Sequence, residues 1–255
     1  MAVARIFEKL WQNYSKLTPR AVRIHKLLKD HGENNIVNDH IALRTCDLPG
    51  FGIKDLAVVF EDLGYKKIEN YRFEAKKLNA LHLEVEGNTS PKVFISELCT
   101  DEMDSDIKDI FTDIFTENLT QIFDASINPL ESRVLCGAPW DKDYDVYKSL
   151  AARSEYASWL YAWGLIANHF TVSVNHLTKF EDLKALNDFL LANNFKLNDA
   201  GGLIKGGPEC FLAQSSTMAD TAKVEFKQGV YDVPCCFYEF AQRFEIPGKD
   251  GGAGE

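Results

Sequence analysis

The stretch 38-NDHIALRT-45 decides how the rest of the chain is read. Its otherwise apolar run predicts a strand, yet it carries His40 and Arg44, four residues apart and therefore on one face. Burying an imidazole and a guanidinium is costly unless each has a partner. A second stretch, 167-ANHFTVSV-174, repeats the pattern around His169. Here His169, Thr171, Ser173 and Asn175 share one face, and Phe170, Val172 and Val174 share the other. The polar face must line something other than an apolar core.

Outward from these strands the repeat continues. The run 54-KDLAVVFEDLGYKK-67 lies over 181-EDLKALNDFLLANNFK-196, and 92-KVFISEL-98 over 235-CCFYEFA-241. In the first copy a helix is predicted over 51–64, with Leu56, Val59, Phe60 and Leu63 on one stripe. Strands follow near 66–73, 80–86 and 92–98. In the second copy the stripe is Leu183, Leu186, Phe189 and Leu190. Strand-like runs then occupy 202–206, 210–215, 222–228 and 235–243, with Cys235 and Cys236 as small strand residues. The fold class is α+β: two βαβββ modules, 38–98 and 168–243, form a curved sheet around a cleft. N-terminal helices occupy 1–36 and a mostly helical insertion 99–165, with Ile107, Ile110, Phe111 and Ile114 on one face. Residues 244–255 form a flexible tail, and the whole chain is one domain.

Composition limits the function. A net charge of −10 argues against nucleic acid or an anionic membrane surface as partner. No apolar run approaches membrane-spanning length. Six cysteines without a CxxC pair, behind an N-terminus with no signal peptide, read as reduced thiols in a cytoplasmic protein.

Two histidines and one carboxylate, His40, His169 and Glu239, arrive from three strands. This is the ligand set of a facial triad, which suits non-haem Fe(II) and leaves positions open. Zn, Ni or Mn are alternatives. Arg44 is a fork for a carboxylate, or else a cross-strand ion pair. Glu97, the last-strand glutamate of the first repeat, is matched to Glu239 as a fourth ligand, a base or a remnant of duplication, the last two being favoured. Glu239 itself has a plainer reading, a strand carboxylate paired with Arg243. His25, His31 and His82 read as ordinary core or rim histidines, and His176 as a residue on the far face of its strand. The glycine-rich 201-GGLIKGGPECFLAQSSTMAD-220 lacks the strand–GxxxxGK[ST]–helix order of a phosphate loop. It reads as a turn and a strand, placing Gln214 and Ser216 to hydrogen-bond substrate.

The motifs NDHIALRT, NHFTVSVNHL, IKGGPECFLAQSST and YEFAQR resemble the 2-oxoadipate dioxygenase/decarboxylase (hydroxyglutarate synthase) family, over residues 5–245. The resemblance implies a vicinal-oxygen-chelate-like core. It implies Fe(II) held by His40, His169 and Glu239, with Arg44 against the substrate. The implied reaction takes a small 2-oxo acid and O2, 2-oxoadipate giving 2-hydroxyglutarate and CO2. Characterised members are longer, so the exact substrate is the point least carried over. Two other readings use the same residues. One is a non-redox isomerase, lyase or hydrolase of glyoxalase type, the other a non-catalytic binder of small anions.

Overall fold

Helical spacing near the N-terminus builds α1 (Ala2–Leu17) and α2 (Pro19–Asp30). Pro19 opens α2, where a missing N–H leaves no intrahelical bond unmade. The structure, a computed structural model, describes residues 2–87, 90–123 and 129–245. The tail expected from 244 lies outside them beyond residue 245.

The first repeat runs β1 (Asn38–Cys46), α3 (Ile53–Glu61), β2 (Lys66–Phe73), β3 (Leu78–Glu84) and β4 (Lys92–Leu98). Between the repeats come α4 (Ser105–Glu117), α5 (Leu119–Ile122), α6 (Pro129–Leu135), α7 (Tyr144–Ala151) and α8 (Glu155–Trp163). The second repeat holds β5 (Ala167–Ser173), α9 (Leu183–Ala192), β6 (Lys205–Gly207), β7 (Leu212–Ser216), β8 (Thr221–Phe226), β9 (Gly229–Pro234) and β10 (Phe237–Arg243).

Eight strands form one curved sheet in the order β2-β3-β4-β1-β5-β10-β7-β6. From the middle outward, the left half reads β1, β4, β3, β2 and the right half β5, β10, β7, β6. The two halves therefore repeat one topology. They meet at the antiparallel β1–β5 pair, while β1–β4 and β5–β10 are parallel. Ile41 lies opposite Phe170, with His40 opposite Thr171 and Ala42 opposite His169. The two histidines thus stand diagonally across the join, on the same face.

The other face is the core. Ile41, Leu43, Val93, Ile95, Phe170, Val172, Tyr238 and Phe240 are at most 1% exposed. Burying each such side chain contributes about 1.5–3 kcal/mol. Helix α1 covers the join, Trp11 meeting Phe170 edge-on at 5.1 Å and the Tyr14 hydroxyl donating to the Phe237 carbonyl at 2.7 Å.

Helix α8 is buried from Tyr156 to Trp163, as expected of a helix that is apolar all round. Ser154 caps it, accepting from the Ala157 N–H at 3.1 Å. The Tyr156 hydroxyl accepts from the Thr45 N–H at 3.1 Å and donates to the Ser96 carbonyl at 2.7 Å. These bonds pin the start of α8 over the ends of β1 and β4, closing one end of the cleft.

Two expectations are corrected here. The run 222–228 is not a strand of the main sheet. It is most of one arm of a separate hairpin, β8–β9, inserted between β7 and β10. Its aromatic residues pack on the helical insertion: Tyr231 stacks on Tyr144 at 3.6 Å, and Phe226 lies 5.5 Å from Tyr147. Cys235 and Cys236 fall between β9 and β10 rather than in a strand, both buried, with Cys236 donating to the Ala167 carbonyl.

Candidate metal centre

Strand alternation sends His40, Ala42 and Arg44 of β1 to the concave face. The same holds for His169, Thr171 and Ser173 of β5, and for Phe237 and Glu239 of β10. The ligand-type atoms of His40, His169 and Glu239 lie within 4.8 Å of one another, the one such group found among the described residues. Glu239 Oε1 is 3.2 Å from His40 Nε2 and 3.9 Å from His169 Nε2. An ion with bonds of about 2.1 Å needs adjacent ligand atoms about 3 Å apart, so the set is close to binding geometry. Both Nδ1 atoms are already engaged, His40 with Asp39 Oδ1 at 2.7 Å and His169 with Asn168 Oδ1 at 2.9 Å. This fixes both rings with Nε2 toward the centre. The donor set, two nitrogens and one carboxylate oxygen, fits a divalent first-row ion.

The electrostatics agree. Burial opposes charging His40, but the Asp39 and Glu239 carboxylates push it up to about 9. Burial takes His169 down to about 4, with His40 and Arg44 adding to the effect. Burial would raise Glu239, but His169 and His40 hold it below its ordinary value. Buried carboxylate and imidazoles thus balance one another where a cation would sit.

Around the triad, Thr171 Oγ1 lies 3.1 Å from His40 Nε2 and donates to Glu239 Oε1 at 3.2 Å. Gln214 Nε2 donates to the same oxygen at 2.6 Å. The structure thus gives Gln214 a role in orienting Glu239. Ser216 pairs directly across from Glu239 on β7, and neither Gln214 nor Ser216 lines the cavities below. Ser173 bonds His176 Nδ1 at 2.8 Å. His176 lies in a short 3₁₀ turn, not on the far face of the strand.

Glu97 is on the opposite face from Glu239. Its Oε2 accepts the Ile53 N–H at 2.7 Å at the start of α3, and its Oε1 accepts from Asn79 Nδ2 at 3.2 Å. The position that matches Glu239 by strand pairing is Phe94, since Glu239 sits beside Thr171 and Phe94 beside Ala42. Nor does Arg243 pair with Glu239. It grips Asp39 through Nε at 2.7 Å and Nη2 at 2.9 Å. Arg44 makes no cross-strand pair. Its guanidinium sits 4.8 Å from the Tyr156 ring centre and 5.0 Å from that of Trp159, and Nη1 donates to Glu155 at 2.9 Å.

Arg44 borders a cavity of about 480 Å³ that reaches His169 and Phe237, with Lys76, Lys77 and Arg153 also on its wall. A smaller cavity of about 240 Å³ shares Arg44, Glu155, Asn168 and Phe237 with it. Sequence reasoning missed Asp39, Asn168, Tyr156 and Trp159. The available signal was the Asp-His and Asn-His dipeptides, one in each repeat.

With this geometry in hand, comparison with known proteins is specific. The family model described as 2-oxoadipate dioxygenase/decarboxylase matches residues 5–251. A chloroplastic/amyloplastic 2-oxoadipate dioxygenase/decarboxylase of Oryza sativa subsp. japonica is 34% identical over 247 residues, covering 92% of this chain. The match spans about two thirds, 67%, of that relative's length. The hydroxyglutarate synthase of Oryza sativa, solved with 2-oxoadipate, superposes with a TM-score of 0.85 at 33% identity, over 97% of this chain and 83% of that one. A Shewanella frigidimarina NCIMB 400 protein described as a candidate hydrolase superposes at 0.87 with 41% identity, covering 99% and 97%. A candidate glyoxalase-superfamily protein of Ralstonia eutropha JMP134, at 19% identity and a TM-score of 0.76, shares the fold, over 97% and 85% of the two chains. Matched over nearly all of its length, this chain belongs to the 2-oxoadipate dioxygenase/decarboxylase family, oxidoreductases that act with O2.

Proposed function

We propose that the protein is an Fe(II)-dependent dioxygenase/decarboxylase. It would convert a 2-oxo diacid such as 2-oxoadipate, with O2, to the 2-hydroxy acid one carbon shorter and CO2. The observation that carries this is the convergence of His40 Nε2, His169 Nε2 and Glu239 Oε1 beside a cavity bordered by Arg44. Substrate and O2 together contain all the atoms of both products, so no outside reductant is required.

His40, His169 and Glu239 would hold the ion, with Thr171 and Gln214 steadying the carboxylate. When bound there, the ion would supply a Lewis acid for the 2-oxo acid and electrons for O2 chemistry. Arg44 binds a substrate carboxylate through its fork, held in place by the Tyr156 and Trp159 rings. Lys76 and Lys77 make the mouth of the cavity electropositive and suit it to a dianion. Phe94 and Phe237 keep the inner wall apolar and restrict water. All six cysteines are free thiols, which fits a reducing compartment such as the cytoplasm. No helix among the described residues is long and apolar enough to cross a membrane.

The test is anaerobic Fe(II) loading, metal analysis, and an oxygen-electrode screen of 2-oxo diacids with product identification. Oxygen uptake matched by CO2 is expected, with 2-oxoadipate as the first substrate. Turnover under strict anoxia would instead establish the glyoxalase-type reading, for which the relative described as a candidate hydrolase is the specific support. Protein that takes up no metal yet binds the diacid would be an anion binder.

A further inference from the structure

Each metal-site histidine is preceded by an Asx residue, Asp39 before His40 and Asn168 before His169. In a regular strand, neighbours point to opposite faces, so neither Asx could reach its histidine ring. Both do so because the β1–β5 pair is irregular at two places. On β1 the register slips between Asn38 and His40, leaving Asp39 as the extra residue. On β5 it slips between His169 and Ala167, leaving Asn168. A bulge bends its strand and re-aims a side chain. Here each bulge turns the Asx oxygen onto the Nδ1 of the adjacent ring, at 2.7 and 2.9 Å.

The two supports differ in charge. Asn168 presents a neutral amide oxygen. Asp39 presents a carboxylate whose side chain is only 4% exposed, and Arg243 holds both of its oxygens. Arg243 lies four residues beyond Glu239 on β10 and reaches across β5 to β1. One strand therefore carries one ligand and the anchor for another. An imidazole backed by a carboxylate is a stronger donor at its second nitrogen than one backed by an amide. The geometry points to Asp39 and Arg243 as positioning residues that orient His40 and make it the stronger of the two imidazole donors, with Asn168 as the neutral counterpart behind His169. This inference rests on the metal site proposed above.

The experiment is anaerobic titration of the metal-free protein with Co(II), reading the dissociation constant and the visible Co(II) bands. Thermal unfolding of the metal-free protein is followed alongside. The proteins are wild type, Asp39→Asn, Arg243→Lys, the double variant Asp39→Asn/Arg243→Gln, and Glu239→Ala as a control. Asp39→Asn is expected to weaken Co(II) about 10- to 100-fold and shift the bands. Arg243→Lys, which keeps charge but loses the fork, should fall between it and wild type. The double variant removes the half-buried guanidinium that has lost its carboxylate, so its unfolding temperature should recover while its Co(II) affinity stays low. It carries the test if Asp39→Asn alone does not fold. Wild-type affinity and bands in Asp39→Asn would overturn the inference, as would affinity that recovers together with stability in the double variant. If wild type takes up no Co(II), or Glu239→Ala binds it unchanged, the metal site itself fails and the inference with it.

Discussion

Replacing Arg44 by lysine separates substrate binding from metal binding. The side chain is 15% exposed, its guanidinium lies against two aromatic rings at 4.8 and 5.0 Å, and Nη1 donates to the exposed Glu155. A charge-assisted hydrogen bond contributes about 1.5–3 kcal/mol, and each ring face about 0.5–1 kcal/mol. Lysine keeps the charge but loses the second arm of the fork and the stacking, a net loss of about 2 kcal/mol. At about 1.4 kcal/mol per decade, KM for 2-oxoadipate should rise about 30-fold, with Fe(II) stoichiometry unchanged. The companion variant Glu155→Gln should act in the opposite direction. A substrate carboxylate on Arg44 competes with Glu155 for Nη1, and an exposed pair of this kind contributes about 0.2–1 kcal/mol. KM should therefore fall by at most about fivefold. The assay is steady-state oxygen consumption with metal analysis on the same samples. Loss of metal in Arg44→Lys would refute the reasoning and make Arg44 a support of the centre. Unchanged KM and metal would reduce it to a packing residue.

Three further outcomes follow from packing and charge. Glu97→Ala should lower stability by about 1–2 kcal/mol in urea unfolding, because Ile53 loses its cap, yet leave metal stoichiometry unaltered. Gly164→Ala should cost at least about 2 kcal/mol in the same assay. Gly164 has φ +67°, and a Cβ there would come within 2.1 Å of the Gly137 carbonyl. Glu84 is held down to about 2, chiefly by His82 and also by Lys92. Its folded-state value lies below the ordinary 4.5, so its contribution is complete above that pH and fades as pH falls toward 2. Glu84→Gln should remove about 1–2 kcal/mol at neutral pH and flatten the acid limb of the stability profile between those values.

Much of the molecule was determined by the sequence itself. Alternation and helical spacing are local, so the strand around His40, its copy around His169, and the helices after them could be read without coordinates. The repeat then brought two histidines and Glu239 toward one point, and the structure places those three side chains together. What only the tertiary structure decided depends on register and on partners far along the chain. Glu97 looked equivalent to Glu239, but strand pairing matches Glu239 with Phe94 and turns Glu97 to the other face. The β8–β9 hairpin left the main sheet because its aromatics found partners on α7, a contact no local pattern encodes. Arg44 met Glu155, 111 positions away, and Arg243 met Asp39, 204 positions away. Asp39 and Asn168 escaped strand-face reasoning for the most direct physical reason. Alternation holds only while the register holds, and a bulge breaks it at both residues.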